Sequence, residues 1–153
     1  MPDDLYDRDL FAWTVQQADL LHRLARGERV NDALDAANLA EEIESLGRSQ
    51  RREVSSRLRV LLMHMLKWQC QPERRSDGWS ATMREQRREI EGVLEDSPSL
   101  RPAIPDIMPA AFRRALHDAA AETKLPASAF PETCPWTPEQ VLDLDYLPHA
   151  DPA

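Results

Sequence analysis

Apolar residues recur at helical spacing along most of this chain, and nowhere alternate in the way a half-buried strand requires. From Asp9 to Arg26, Leu10, Trp13, Thr14, Ala18, Leu20, Leu21, Leu24 and Ala25 fall on one half of a wheel that turns about 100° per residue, while Asp9, Gln16, Asp19, Arg23 and Arg26 fall on the other. Gly27 suits the stop of that helix, and a loop from Gly27 to Asp35 leads to a second one, which Asp35 is placed to cap. The second helix is predicted from about Ala36 to Gln69, with Gly47 as its one interruption. Leu39, Ile43 and Leu46 form its first apolar stripe, and Glu41, Glu42 and Glu44 sit near its positive start, where the helix dipole favours acidic residues. Its last part, VLLMHMLKW, is apolar nearly all round and belongs among neighbours, so this segment is expected to be the spine of the fold.

After Pro72, a third helix is predicted, capped by Ser76 or Asp77 and ending near Glu95. Trp79, Met83, Ile90, Val93 and Leu94 make a narrow stripe suited to antiparallel packing on the second half of the long helix. Pro102, Pro105 and Pro109 then argue for a short turn before a fourth helix from near Pro109 to Lys124, with Phe112, Leu116 and Ala119 or Ala120 on its buried side. From Pro126 the chain is Pro-rich. One short helix is expected at Pro138 to Leu142 behind a Thr137 cap, with Phe130, Trp136 and Tyr146 as anchors that strap the tail down. The expected fold is an all-α bundle of about four main helices with a long central helix and a Pro-rich C-terminal strap.

Composition sharpens this picture in three places. A length of 153 residues suits one domain, 1–153 with its core from 6 to 148, and no proline lies between Pro2 and Pro72 to break the long helices. Cys70 and Cys134 have no CxxC partners, the start MPDDLYDRD is acidic where an export signal is basic, and no stretch is long and apolar enough for a membrane span; the cytoplasm is the expected compartment. The net charge of −8 argues against indiscriminate nucleic-acid binding, yet it is divided. Residues 48–88 hold 11 Lys and Arg against 4 Asp and Glu, a net of +7, and the rest of the chain carries 8 basic and 23 acidic residues, a net of −15. Either acidic helices cancel this basic middle within the fold, or the middle presents a face that holds phosphate or an acidic partner.

Several blocks, taken in order, resemble the bacterial family called domain of unknown function 29. They are YDRDLFAW from Tyr6, NLAEEIESLGRSQRRE from Asn38, RLRVLLMHMLKWQCQPERRS from Arg57, REQRREIEGVLEDSPSL from Arg84, AAAETKLP from Ala119, and FPETCPWTPEQVLDLDYLP ending at Pro148. The resemblance covers nearly the whole chain and implies an all-helical protein. It brings no established activity and no catalytic residues. Where the family has a helix-compatible stretch after DSPSL, this chain has Pro102, Pro105 and Pro109.

Candidate chemistry is sparse. A di-metal carboxylate bundle needs two Glu-x-x-His pairs; this chain has none, and Asp19 with His22 is a lone relative. His22, His64, His117 and His149 show no HxxxH or HExxH spacing, and no cofactor motif is present, so neither a metal nor a cofactor is expected. His64 follows Arg59 with four residues between, the spacing of helical ribonucleases of the HEPN superfamily. There, histidine moves a proton and arginine neutralises a phosphorane charge. On a straight helix these two side chains diverge by about 140°. Arg57 lies closer to His64 in direction, together with Glu53 and Trp68, and a histidine on such a face is equally a buried group satisfied by a neighbour.

Arg48, Arg52 and Arg59 fall within about 40° of one another on the wheel. With Arg74, Arg75, Arg84, Arg87 and Arg88 they form the expected cationic surface. The function expected from these residues is an interaction module that presents this surface to a protein partner, a second copy or a nucleic acid, with no membrane involved. The alternative is a metal-independent ribonuclease or phosphodiesterase using His64 with Arg59 or Arg57.

Overall fold

The computed structural model describes residues 5–30 and 34–149; the acidic start at 1–4, the middle of the expected loop at 31–33 and the tail at 150–153 lie outside the described residues. Six α-helices occur among the described residues, in the order α1 (Leu5–Arg8), α2 (Leu10–Ala25), α3 (Ala36–Cys70), α4 (Asp77–Asp96), α5 (Ile104–Thr123) and α6 (Pro138–Leu142). No strand is present among them, and the all-α class with four long helices and a Pro-rich C-terminal strap stands. The chain divides into two compact units, Met1–Ser49 and Gln50–Ala153, and α3 contributes to both.

The N-terminal unit is tied by polar bonds more than by a core. Asp9 caps α2 by accepting from the Ala12 amide at 3.0 Å. The Trp13 indole donates to Asp35 at 3.1 Å, the Asp35 amide donates to Gln17 at 2.8 Å, and Asp35 in turn accepts from the Asn38 amide at the start of α3. Tyr6 packs edge-on against Trp13 and donates its hydroxyl to Glu42 at 2.6 Å; that bond to a carboxylate is the main reason its pKa is pushed up to about 12. On α2 only Trp13, Gln17 and Leu20 are buried. Leu10, Leu21, Leu24, Ile43 and Leu46, which sequence periodicity places on apolar stripes, are exposed, as are Phe11 and Val15. Helical amphipathicity marks an apolar face without fixing how much of it is buried.

In the second unit the later half of α3 meets α4 and α5 around one core. Val54, Leu58, Leu61, Leu62, Met65 and Leu66 pack with Met83, Ile90 and Leu94 of α4 and with Ile104, Ile107, Met108, Ala111, Phe112, Ala115 and Ala119 of α5. The α3–α4 hairpin is antiparallel, as its register shows: Gln50 accepts from Ser97, Arg57 reaches Gln86 and Glu89, and the Lys67 ammonium lies 4.5 Å from the Trp79 ring centroid. Ser76 is the cap of α4, accepting from the Trp79 amide at 3.2 Å.

The prolines break less than their number suggests. Pro98–Ala103 is a 3-10 turn, and α5 begins at Ile104, five residues before the expected start, with Pro105 and Pro109 both inside it. Pro105 stands in the first turn, where its missing N–H has no intrahelical acceptor to lose. Pro109 forfeits one bond, to the carbonyl of Pro105 on the exposed side, while Ile107, Met108 and Ala111 remain buried. Lys124, at φ 60°, ends the helix in the left-handed conformation.

The strap is held from inside. Phe130, Trp136 and Val141 are buried in the core, and Thr137 with Gln140 closes a capping box on α6. Arg87 is the main tie. It is 2% exposed, and its guanidinium donates to the carbonyls of Val141 (2.8 Å), Tyr146 (2.8 Å) and Leu144 (3.4 Å), with Met65 sulfur at 3.9 Å. Sequence reading placed this residue on the basic surface; it is a buried donor, and burial lowers its pKa. Arg87→Ala leaves those carbonyls without their charged donor. It should cost about 2–4 kcal/mol of unfolding free energy in urea denaturation. A loss under about 0.5 kcal/mol contradicts this role.

Candidate anion-binding site

α5 is amphipathic in an uneven way. Its buried residues take one side, and on the other Arg113, Arg114 and His117 lie within about 100° of one another. All three are exposed. Arg59 of α3 comes to the same place because Asp118, one residue beyond His117, grips it with both carboxylate oxygens, Nε to Oδ2 at 2.5 Å and Nη2 to Oδ1 at 2.8 Å. This forked pairing fixes the plane of the guanidinium. It lowers the Asp118 pKa and raises that of Arg59, in each case chiefly through their hydrogen bond.

The result is a concavity of about 270 Å³ lined by Arg59, Ala110, Arg113, Arg114 and His117. Arg113 and Arg114 have no side-chain hydrogen bond or ion pair among the described residues. Three guanidinium groups thus meet one carboxylate, and two remain uncompensated. On its far side Arg113 also borders a second, more apolar cavity of about 490 Å³ between α5 and the strap, floored by Pro105, Met108, Pro109 and Phe112 and closed by Cys134 and Pro138. Cys134 is half-buried, and that burial pushes its thiol up, so it is neutral there.

The arginines expected to form one surface separate into three groups. Arg48 pairs with Glu41 at 3.2 Å and Glu44 at 3.7 Å, and Arg84 with Asp145 at 2.5 Å, while Arg57, which is outside that set, pairs with Glu53 and Glu89. Arg75 donates to the Trp68 carbonyl at 2.8 Å and lies 5.1 Å from that residue's ring centroid, and Arg87 is inside. Arg52, Arg74 and Arg88 are exposed with no side-chain partner among the described residues. Of the eight, Arg59 alone reaches the concavity. Arg113, Arg114 and His117 were missed by the sequence reading. Their signal was present, since Arg113 and Arg114 precede His117 by four and three residues, one helical turn on an exposed face.

His64 stands apart from both arginines with which its spacing associates it. Its Nδ1 lies 2.8 Å from the Val60 carbonyl one turn back, and no hydrogen bond or ion pair joins it to Arg57 or Arg59. Among the described residues no three His, Cys, Asp or Glu side chains gather closely enough to hold a metal ion, and no helix is long and apolar enough to cross a membrane.

An all-α chain carrying a basic concavity on its last long helix is the class these features define. The chain belongs to the family described as Domain of unknown function DUF29, which matches residues 5–147. No curated protein and no solved structure matches it.

Burial lowers the pKa of His64 below its ordinary value of 6.5. Between the folded and unfolded values the unfolded chain binds a proton that the folded chain does not, so stability falls as pH drops below about 6.5. His64→Gln should therefore reduce the loss of stability between about pH 7 and pH 5 in urea titrations. An unchanged pH dependence contradicts a desolvated His64.

Proposed function

We propose that this protein is a binding module whose concavity between α3 and α5 receives the phosphates of a single-stranded nucleic acid. The observation that carries the reading is that Arg113 and Arg114 turn into one hollow with Arg59 and His117 and have no carboxylate of their own among the described residues. The Arg59–Asp118 pair gives the scale: one carboxylate is satisfied by one guanidinium fork. Two uncommitted forks, those of Arg113 and Arg114, suit a group with more acceptor oxygens, which a phosphate has and an acidic side chain lacks. The overall charge of −8 keeps binding away from the rest of the surface weak, so binding is local and salt-sensitive. The cytoplasm is the compartment we propose, supported by a cysteine content of two, Cys70 and Cys134, that form no disulfide with each other.

Fluorescence anisotropy with a labelled oligouridylate tests this. Arg113→Ala/Arg114→Ala should weaken binding at least about tenfold and make the slope of log affinity against log salt shallower by about 1.4, some 0.7 for each phosphate of a single strand that is no longer neutralised. Unchanged affinity in the double variant contradicts the site, and equal binding of a polyglutamate peptide of the same charge points to an acidic protein partner instead. The rival proposal, a ribonuclease or phosphodiesterase acting through His64 with Arg59 or Arg57, predicts cleavage of that RNA by the wild type and its loss in His64→Ala. The binding reading predicts that the RNA is left intact.

A further inference from the structure

The two cavities on α5 share one wall. Pro105, Met108, Pro109 and Phe112 of the larger and Ala110, Arg114 and His117 of the smaller occupy neighbouring arcs of the helix, and Arg113 stands between them and lines both. The α5 residues of the two linings are centred about four positions apart, roughly 6 Å along the axis, a separation that one nucleotide spans. The smaller hollow is cationic. The larger, of about 490 Å³, has the size and the apolar wall of a small-molecule site, with few polar groups at its edge. Two of those groups, Glu132 and Thr133, lie on the short span between Phe130 and Trp136, both of which are buried in the core. Glu132 is exposed and has no side-chain hydrogen bond or ion pair among the described residues, Arg113 included, although both line the cavity.

We infer that the larger cavity is a base pocket selective for guanine, filled by the nucleotide whose phosphate lies in the concavity; this rests on the phosphate reading above and adds to it the identity of one base. A carboxylate at the rim repels phosphate, so the anionic part of the nucleotide stays on the far side of Arg113. The apolar floor takes the face of an unstacked base out of water. Glu132 sets which base it is. A carboxylate only accepts, through two oxygens side by side, and its complement is a pair of adjacent N–H donors. Guanine carries that pair on its Watson–Crick edge, at N1 and the N2 amino group. Adenine and cytosine offer one amino group beside a bare ring nitrogen, and uracil one N–H between two carbonyls. Each of these three sets an acceptor against the carboxylate and leaves it unpaired. Cys134 does not compete for the base edge, because its thiol donates to the Trp136 carbonyl 3.5 Å away.

Four labelled single-stranded RNAs test this by anisotropy with the full chain: an oligouridylate, and the same strand with one central guanosine, adenosine or cytidine. The guanosine strand should bind at least about tenfold more tightly than the other three, and Glu132→Gln should bring that preference below about threefold without weakening the oligouridylate. Taking the ratio between strands separates base recognition from the general effect of removing an acidic charge beside RNA. Equal binding of the four strands, with weakening by Arg113→Ala/Arg114→Ala, overturns the base pocket and leaves the phosphate site standing. Failure of every strand to bind overturns both. A guanosine preference undiminished in Glu132→Gln, or a preference for another base, overturns the pocket as assigned.

Discussion

Burial of one face of α3 against α4 and α5 sets the position of the charged groups that line the concavity. Val54, Leu58, Leu61, Leu62, Met65 and Leu66 occupy that face, all without measurable exposure, and the antiparallel register with α4 follows from filling it. Once the apolar face is committed inward, Arg59 has one direction left, toward α5. There Asp118 meets it at a distance that only a fixed interhelical register allows. The concavity is thus a consequence of core packing, because Ala111, Phe112, Ala115 and Ala119 turn the opposite side of α5, with Arg113, Arg114 and His117, out beside Arg59.

Arginine serves three separate purposes in this chain, and burial distinguishes them. Arg87 is a structural donor, removed from water and committed to the carbonyls of the strap. Arg48, Arg57 and Arg84 are surface ion pairs with nearby carboxylates, partly exposed to water and individually worth little. Arg113 and Arg114 have neither a carbonyl nor a carboxylate to satisfy them among the described residues. Counting basic residues along a segment blends these classes, and for that reason the +7 of residues 48–88 overstates the charge presented to solvent.

Local chemistry that repeats at short range was legible. Asp9, Asp35, Ser76 and Thr137 each cap a helix start, three of them where the sequence placed a cap, and the strap anchors Phe130 and Trp136 are buried. What escaped depends on contacts across the chain. Nothing near Arg87 in sequence announces the carbonyls of Val141 and Tyr146, 54 and 59 residues away, so a buried donor reads as a surface charge. Pro105 and Pro109 suggested a break, yet the buried side of α5 outweighs one absent backbone bond. The basic concavity is hidden for the same reason: Arg59 and Asp118 are 59 residues apart, and Arg113 and Arg114 lie outside the basic segment 48–88. The apolar half of α2 divides in the structure, with Trp13 and Leu20 buried and Leu10, Leu21 and Leu24 exposed, because periodicity carries no information on how much of a face its own chain covers.

The central claim is that the side of α5 facing Arg59 is where an anion is held. Its most direct test is an amide chemical-shift titration of the isotopically labelled protein with inorganic phosphate and then with an oligouridylate. The account predicts saturable shifts at Ala110, Arg113, Arg114, His117 and around Arg59, abolished by Arg113→Ala/Arg114→Ala. Saturable shifts centred on other residues, or no saturation at these, would contradict it.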